Sequence, residues 1–130
     1  MKRIYRILMV LVITTIFVSC TETDSVAPNV IETFPVTGST DVDPLITEIS
    51  VTFDEPMMDG TWSWAYSNKN MFPEMNGQPY YQPGLTKNVL PVKLEPNKEY
   101  GVWINTDQFR NFKDQSGNSA IPFRLVFKTR

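Results

Sequence analysis

The sequence predicts an all-β domain: an antiparallel sandwich of about seven short strands, preceded by a signal-peptide helix. Three observations point there. Apolar and polar residues alternate with a period of two in stretch after stretch, as half-buried strands require. Turn-forming residues separate those stretches. After the N-terminal apolar run, no segment holds a helical apolar period, and ten of the 130 residues are Pro, which interrupts helices.

The N-terminus comes first. Lys2, Arg3 and Arg6 form a basic start, and residues 7–18 are an uncharged apolar run. At about 12 residues this run is shorter than the roughly 20 that span a bilayer, and it fits the core of an export signal over residues 1–19. Cys20 is the single cysteine. The stretch Phe17-Val18-Ser19-Cys20 resembles the lipobox of bacterial lipoproteins, with Phe17 where Leu is usual. That resemblance implies cleavage before Cys20, acylation of the cysteine with palmitate-type chains, and a lipid anchor. Thr21 after the cysteine, rather than Asp, resembles lipoproteins sorted to the outer membrane. Residues 20–27 then read as a lipidated Cys and a polar tether that reaches about 25 Å at most. The domain proper is 28–130.

Strands follow in order. Val30 to Phe34 is the first. Ile49, Val51 and Phe53 alternate with Ser50, Thr52 and Asp54 in the second. The stretch TWSWAYS, residues 61–67, sets Trp62, Trp64 and Tyr66 on one face and Thr61, Ser63, Ala65 and Ser67 on the other. Residues 69–84 are the least regular and read as long loop or short edge strands. Leu90, Val92 and Leu94 form the next apolar face, then Tyr100, Val102 and Ile104, and last Phe123, Leu125 and Phe127. Each set suits a half-buried antiparallel strand. Glu95-Pro96-Asn97-Lys98 and the run from Asp114 to Asn118 supply turn chemistry between them.

Residues 30–57, VIETFPVTGSTDVDPLITEISVTFDEPM, resemble the opening of bacterial Ig-like domains of the SbsA type, known from surface-layer proteins. The matching positions are Pro35, Gly38, Val42, Ile49, Val51, Phe53, Pro56 and Met57. LEPNKEYGVWI and DQSGNSAIPFRLVFKT resemble the closing strands of that family. The resemblance covers both ends of residues 28–130 and thins between 59 and 88. It implies an Ig-like β-sandwich used as a spacer or binding module, without an activity.

Composition limits the chemistry. There is no His, and Cys20 is assigned to the lipid, so the usual general base, metal ligand and thiol nucleophile are missing. No nucleophile elbow and no phosphate-cradling glycine loop occur. Asp54 and Glu55 on a strand face opposite ways and make a poor acid–base pair. Asp41, Asp43, Asp114 and Asn118 offer oxygen donors on loops, but turn formation accounts for them and no metal or other cofactor is expected. Loss of Lys2, Arg3 and Arg6 leaves nine basic residues against 14 acidic ones, a net charge of −5. Such a chain suits neither nucleic acid nor anionic lipid heads.

Aromatic side chains exceed what the core needs. The candidate ligand-binding residues are Trp103, Trp62, Trp64, Tyr66, Tyr80 and Tyr81. Parity puts Trp62 and Trp64 on one face with one fate, expected mostly buried, and leaves Trp103 as the exposed ring. The expected role is a non-catalytic, lipid-anchored interaction or accessory module of the cell envelope, with a protein or glycan partner. A glycan-binding module using an exposed aromatic patch is the first alternative, and an envelope enzyme inhibitor or chaperone-like protein the second.

Overall fold

Ile49, Val51 and Phe53 on one strand and Tyr100, Val102 and Ile104 on another supply two apolar surfaces, which are stable only when buried against each other. The computed structural model, which describes residues 22–130 together with Ile16, closes them into a two-sheet sandwich. The expected anchor at Cys20 and, Ile16 apart, the expected signal peptide lie outside the described residues.

In chain order the strands are β1 (Val30–Phe34), β2 (Glu48–Phe53), β3 (Trp64–Ala65), β4 (Glu74–Met75), β5 (Tyr80–Tyr81), β6 (Lys87–Lys93), β7 (Glu99–Ile104) and β8 (Phe123–Lys128). A 3₁₀ turn, Lys69–Met71, lies between β3 and β4. The larger sheet runs β1-β2-β6, with β4 and β5 both pairing along the far side of β6. The smaller sheet runs β3-β7-β8. Every strand pairing is antiparallel.

Register decides what faces inward, because directly paired residues share a face. Ile49 opposes Leu90 in the larger sheet, while Tyr100 opposes Phe127 and Val102 opposes Leu125 in the smaller one. The apolar residues expected to face inward at Ile49, Val51, Phe53, Leu90, Val92, Leu94, Tyr100, Val102, Ile104, Leu125 and Phe127 are buried, and Phe123 is half-buried. Met57, Phe112 and Ala120 join this core from loops. Phe112 packs on Phe53 at 5.3 Å between ring centroids and takes Trp64 edge-on at 5.6 Å. Each such fully buried side chain contributes roughly 1.5–3 kcal/mol.

The TWSWAYS stretch departs from its expected form. Only Trp64 and Ala65 pair in the sheet, with Ile104 and Trp103 of β7. Beyond Ala65 the chain leaves the sheet for the 3₁₀ turn, where the Asn68 side chain accepts a hydrogen bond from Asn70 N at 3.0 Å. A polar capping residue there outcompetes continued pairing.

The edges of both sheets are protected. The free side of β8 is covered by residues 37–42: Gly38 N donates to Val126 O, Lys128 N to Ser39 O, and Val42 N to Lys128 O. β1 carries a bulge between Val30 and Glu32 and runs into Pro35. β3, β4 and β5 are two residues each. Covered, bulged or very short edges resist pairing with another chain.

Candidate functional site

Two segments build an aromatic concavity of the surface, and the chain fixes each from inside. In the first, Trp64 shares the inward face with Ile104, and its indole Nε1 donates to Asn88 Oδ1 at 2.8 Å. The second is the loop after β7. Asn105 starts it, fully buried at φ 61°, a left-handed conformation that Asn tolerates. Its Nδ2 donates to the carbonyls of Phe112 and Ala120, each at 3.0 Å, and its Oδ1 accepts from Phe112 N at 3.0 Å. Thr106 Oγ1 accepts from Phe109 N at 3.0 Å and Thr106 N donates to Phe109 O at 2.8 Å, which closes a tight turn over Asp107 and Gln108 with Phe109 at its end.

Ser63 joins the two segments. Its carbonyl accepts from Asn105 N at 3.2 Å, and its hydroxyl oxygen accepts from Asn111 N at 2.9 Å. Between them opens a cleft of about 370 Å³ lined by Trp62, Ser63, Trp64, Ala65, Tyr66, Phe109 and Asn111. Tyr66 and Phe109 are 49% and 57% exposed. A second cleft, also about 370 Å³, lies on the other side of Tyr66 and includes Trp103, Thr106 and Asp107. Tyr66 leans on Phe72 at 5.5 Å, and Phe72 in turn packs on the core.

The six candidate ligand-binding residues separate into groups. Trp62, Trp64 and Tyr66 line one cleft: Trp62 and Trp64 share one fate, both half-buried against the core rather than mostly buried, whereas Tyr66 is exposed. Tyr66 parts from them because the strand ends at Ala65. Trp103 lies on the outward face of β7, as its parity requires, yet it is half-buried rather than the exposed ring expected. Tyr80 stands exposed on the outer face of the larger sheet, opposite Val89, away from the Trp cluster. Tyr81 points inward, donates its hydroxyl to Thr61 O at 3.3 Å, and has its phenol pushed well above its ordinary pKa by burial. Phe109 and Asn111 carry no period-two signal, and the alternation of Gly101, Trp103 and Asn105 with Tyr100, Val102 and Ile104 marks Asn105 only as an outward polar residue, not as the buried support of this loop.

Carboxylates gather elsewhere. Oxygens of Asp24, Glu55 and Asp114 lie within 4.8 Å of one another, so these are the residues that could hold a cation. Asp41 and Asp43 are not among them; Asp43 pairs instead with Arg130 at 3.5 Å. Asp114 is already occupied: Oδ1 accepts from Ser116 N at 2.9 Å and Asn118 N at 2.8 Å, and Oδ2 accepts from Asn118 Nδ2 at 2.9 Å. Burial opposes its ionisation, but these hydrogen bonds outweigh burial and hold its carboxyl below the usual range. Burial, and then the charges of Asp114 and Asp24, push Glu55 up. Asp54 is held low by hydrogen bonds from Asn29.

A family model described as the bacterial Ig-like domain matches residues 24–129. The chain belongs to the bacterial Ig-like domain family. Among solved structures, this Ig-like domain is similar to the crystal structure of the S-layer protein rSbsC, at 16% identity and a TM-score of 0.48, over 81% of this chain and 14% of that one. The structure of domains 1–6 of surface layer protein SbsC gives 16% identity and a TM-score of 0.44, over 82% of this chain and 14% of that one. The Ig-like domain thus spans about 14% of the length of either protein. No curated protein matches it.

Proposed function

We propose that this Ig-like domain is a non-catalytic binding module of the cell envelope, tethered by a lipid on Cys20 and binding through the aromatic cleft between Trp62–Tyr66 and Phe109–Asn111. The convergence of the exposed Tyr66 and Phe109 rings on that cleft carries the reading. Exposed aromatic rings on a rigid support are a binding surface in want of a ligand. Both walls are supported from the core, so little ordering entropy is left to lose on binding.

Two alternatives find less support. Strand addition needs a long open edge; here every edge is covered, bulged or short. Catalysis needs an acid, base or nucleophile set up for the task at the cleft, and its lining offers only the hydroxyls of Ser63, whose oxygen accepts from Asn111 N, and of Tyr66, with no carboxylate, Lys or His in the lining beside them. The Asp24, Glu55 and Asp114 group instead ties the tether to the loop that follows Phe112, since Asn118 Nδ2 donates to Asp24 O at 3.0 Å.

A photo-crosslinking residue in place of Phe109, in the full chain in intact envelopes, tests this. It should give a discrete adduct that one at Gln115, on a loop outside the cleft, does not. Equal labelling from both positions, or none, contradicts the proposal.

A further inference from the structure

The chemistry of the cleft narrows what it takes. None of its lining residues is an Asp, Glu, Lys or Arg. Arg110, between Phe109 and Asn111 in sequence, does not line it. Among the described residues, the indole N–H of Trp62, the hydroxyl of Tyr66 and the side-chain amide of Asn111 make no hydrogen bond within the chain. The surface therefore combines ring faces with neutral groups that donate and accept. A ligand matched to it is uncharged, has apolar C–H faces to lay on rings, and carries hydroxyls to exchange hydrogen bonds. Those are the properties of a pyranose sugar.

The second cleft extends the surface. Tyr66 is the wall common to both, and Trp103 lines the far side with Thr106. The one charge there is the carboxylate of Asp107, which disfavours an acidic sugar. The geometry points to a neutral oligosaccharide as the ligand, with one ring between Tyr66 and Phe109 and the chain continuing across Tyr66 toward Trp103. This assignment rests on the binding-module reading and specifies its ligand.

Titration of the purified full-length protein with neutral oligosaccharides of glucose, mannose and N-acetylglucosamine, from di- to hexasaccharide, tests it by calorimetry and tryptophan fluorescence. At least one neutral series should bind, and each stacked ring should contribute up to about tenfold in affinity, the equivalent of one aromatic contact. Tyr66→Ala and Phe109→Ala should each weaken binding about tenfold while the protein still melts cooperatively with only a small shift in melting temperature, since about half of each ring is exposed. Trp103→Ala should weaken only the longer chains. Oligogalacturonate should bind least.

Absence of binding across all neutral series at millimolar concentration overturns the assignment. So does oligogalacturonate binding as tightly as the neutral chains, or neutral binding that survives both Tyr66→Ala and Phe109→Ala. A Trp103→Ala protein that binds hexasaccharide like wild type overturns the extension across Tyr66. If the sugars fail while the crosslinker at position 109 still captures an envelope protein, the glycan assignment falls and the binding surface stands.

Discussion

Trp64 Nε1 donates a 2.8 Å hydrogen bond to Asn88 Oδ1, joining the smaller sheet to the larger one. An indole nitrogen only donates, so the amide is oriented with its oxygen toward Trp64. Asn88 Nδ2 is left buried without a partner among the described residues. Trp64→Phe removes the donor and strands Asn88 Oδ1 as well, at a cost of about 1–3 kcal/mol. Replacing both partners, as Trp64→Phe with Asn88→Leu, should recover most of that loss. Urea unfolding of the two single variants and the double variant measures the coupling.

The strands were legible because burial acts on alternate residues. Ile49, Val51, Phe53, Tyr100, Val102 and Ile104 follow that rule and lie in the core. TWSWAYS has the same period but lacks partners: β7 ends at Ile104, opposite Trp64, so no strand continues beside Trp62, and Asn68 turns the chain after Ala65. Period alone does not tell a paired strand from an extended segment. The other wall of the cleft was not legible at all. Asn105 bonds Phe112 and Ala120, seven and fifteen residues away, and no local pattern encodes such contacts.

Asn105 is accordingly the next position to test. Asn105→Ala loses three hydrogen bonds and leaves the buried carbonyls of Phe112 and Ala120 without that donor. It should cost about 3 kcal/mol, at roughly 1 kcal/mol per bond. The loop bearing Phe109 and Asn111 should loosen with it, visible as faster amide exchange at Phe112.

The carboxylate group makes a prediction with a sign. Glu55 is raised above its ordinary pKa, so its protonated form suits the folded state better and its charge costs stability as pH rises through that raised value. Asp114 is lowered, so it contributes stability above its unfolded pKa and loses it as pH falls through the folded one. Glu55→Gln should raise the melting temperature at neutral pH by about 2 °C, the size of a surface charge interaction. Below about pH 4, where carboxylates protonate, the gain should vanish. Melting curves across that range read both effects.

The anchor is tested at the cysteine. Cys20→Ser in the full chain should abolish acylation and release the protein from membranes or leave its signal uncleaved. Mass spectrometry and membrane fractionation report both outcomes, and an unchanged result in each removes Cys20 as the anchor.

The TWSWAYS stripe is divided within itself: Trp64 is half-buried with its ring packed against the core, and Tyr66 is exposed at the surface. Denaturant midpoints of Trp64→Ala and Tyr66→Ala, measured side by side, test that division directly. Trp64→Ala should lose roughly 3 kcal/mol, the low end for truncating a large aromatic, because the half-buried ring packs on Phe112 and bonds Asn88. Tyr66→Ala should lose only about 1 kcal/mol, the size of its contact with Phe72. Equal losses in the two variants, or a Trp64→Ala protein as stable as wild type, would contradict it.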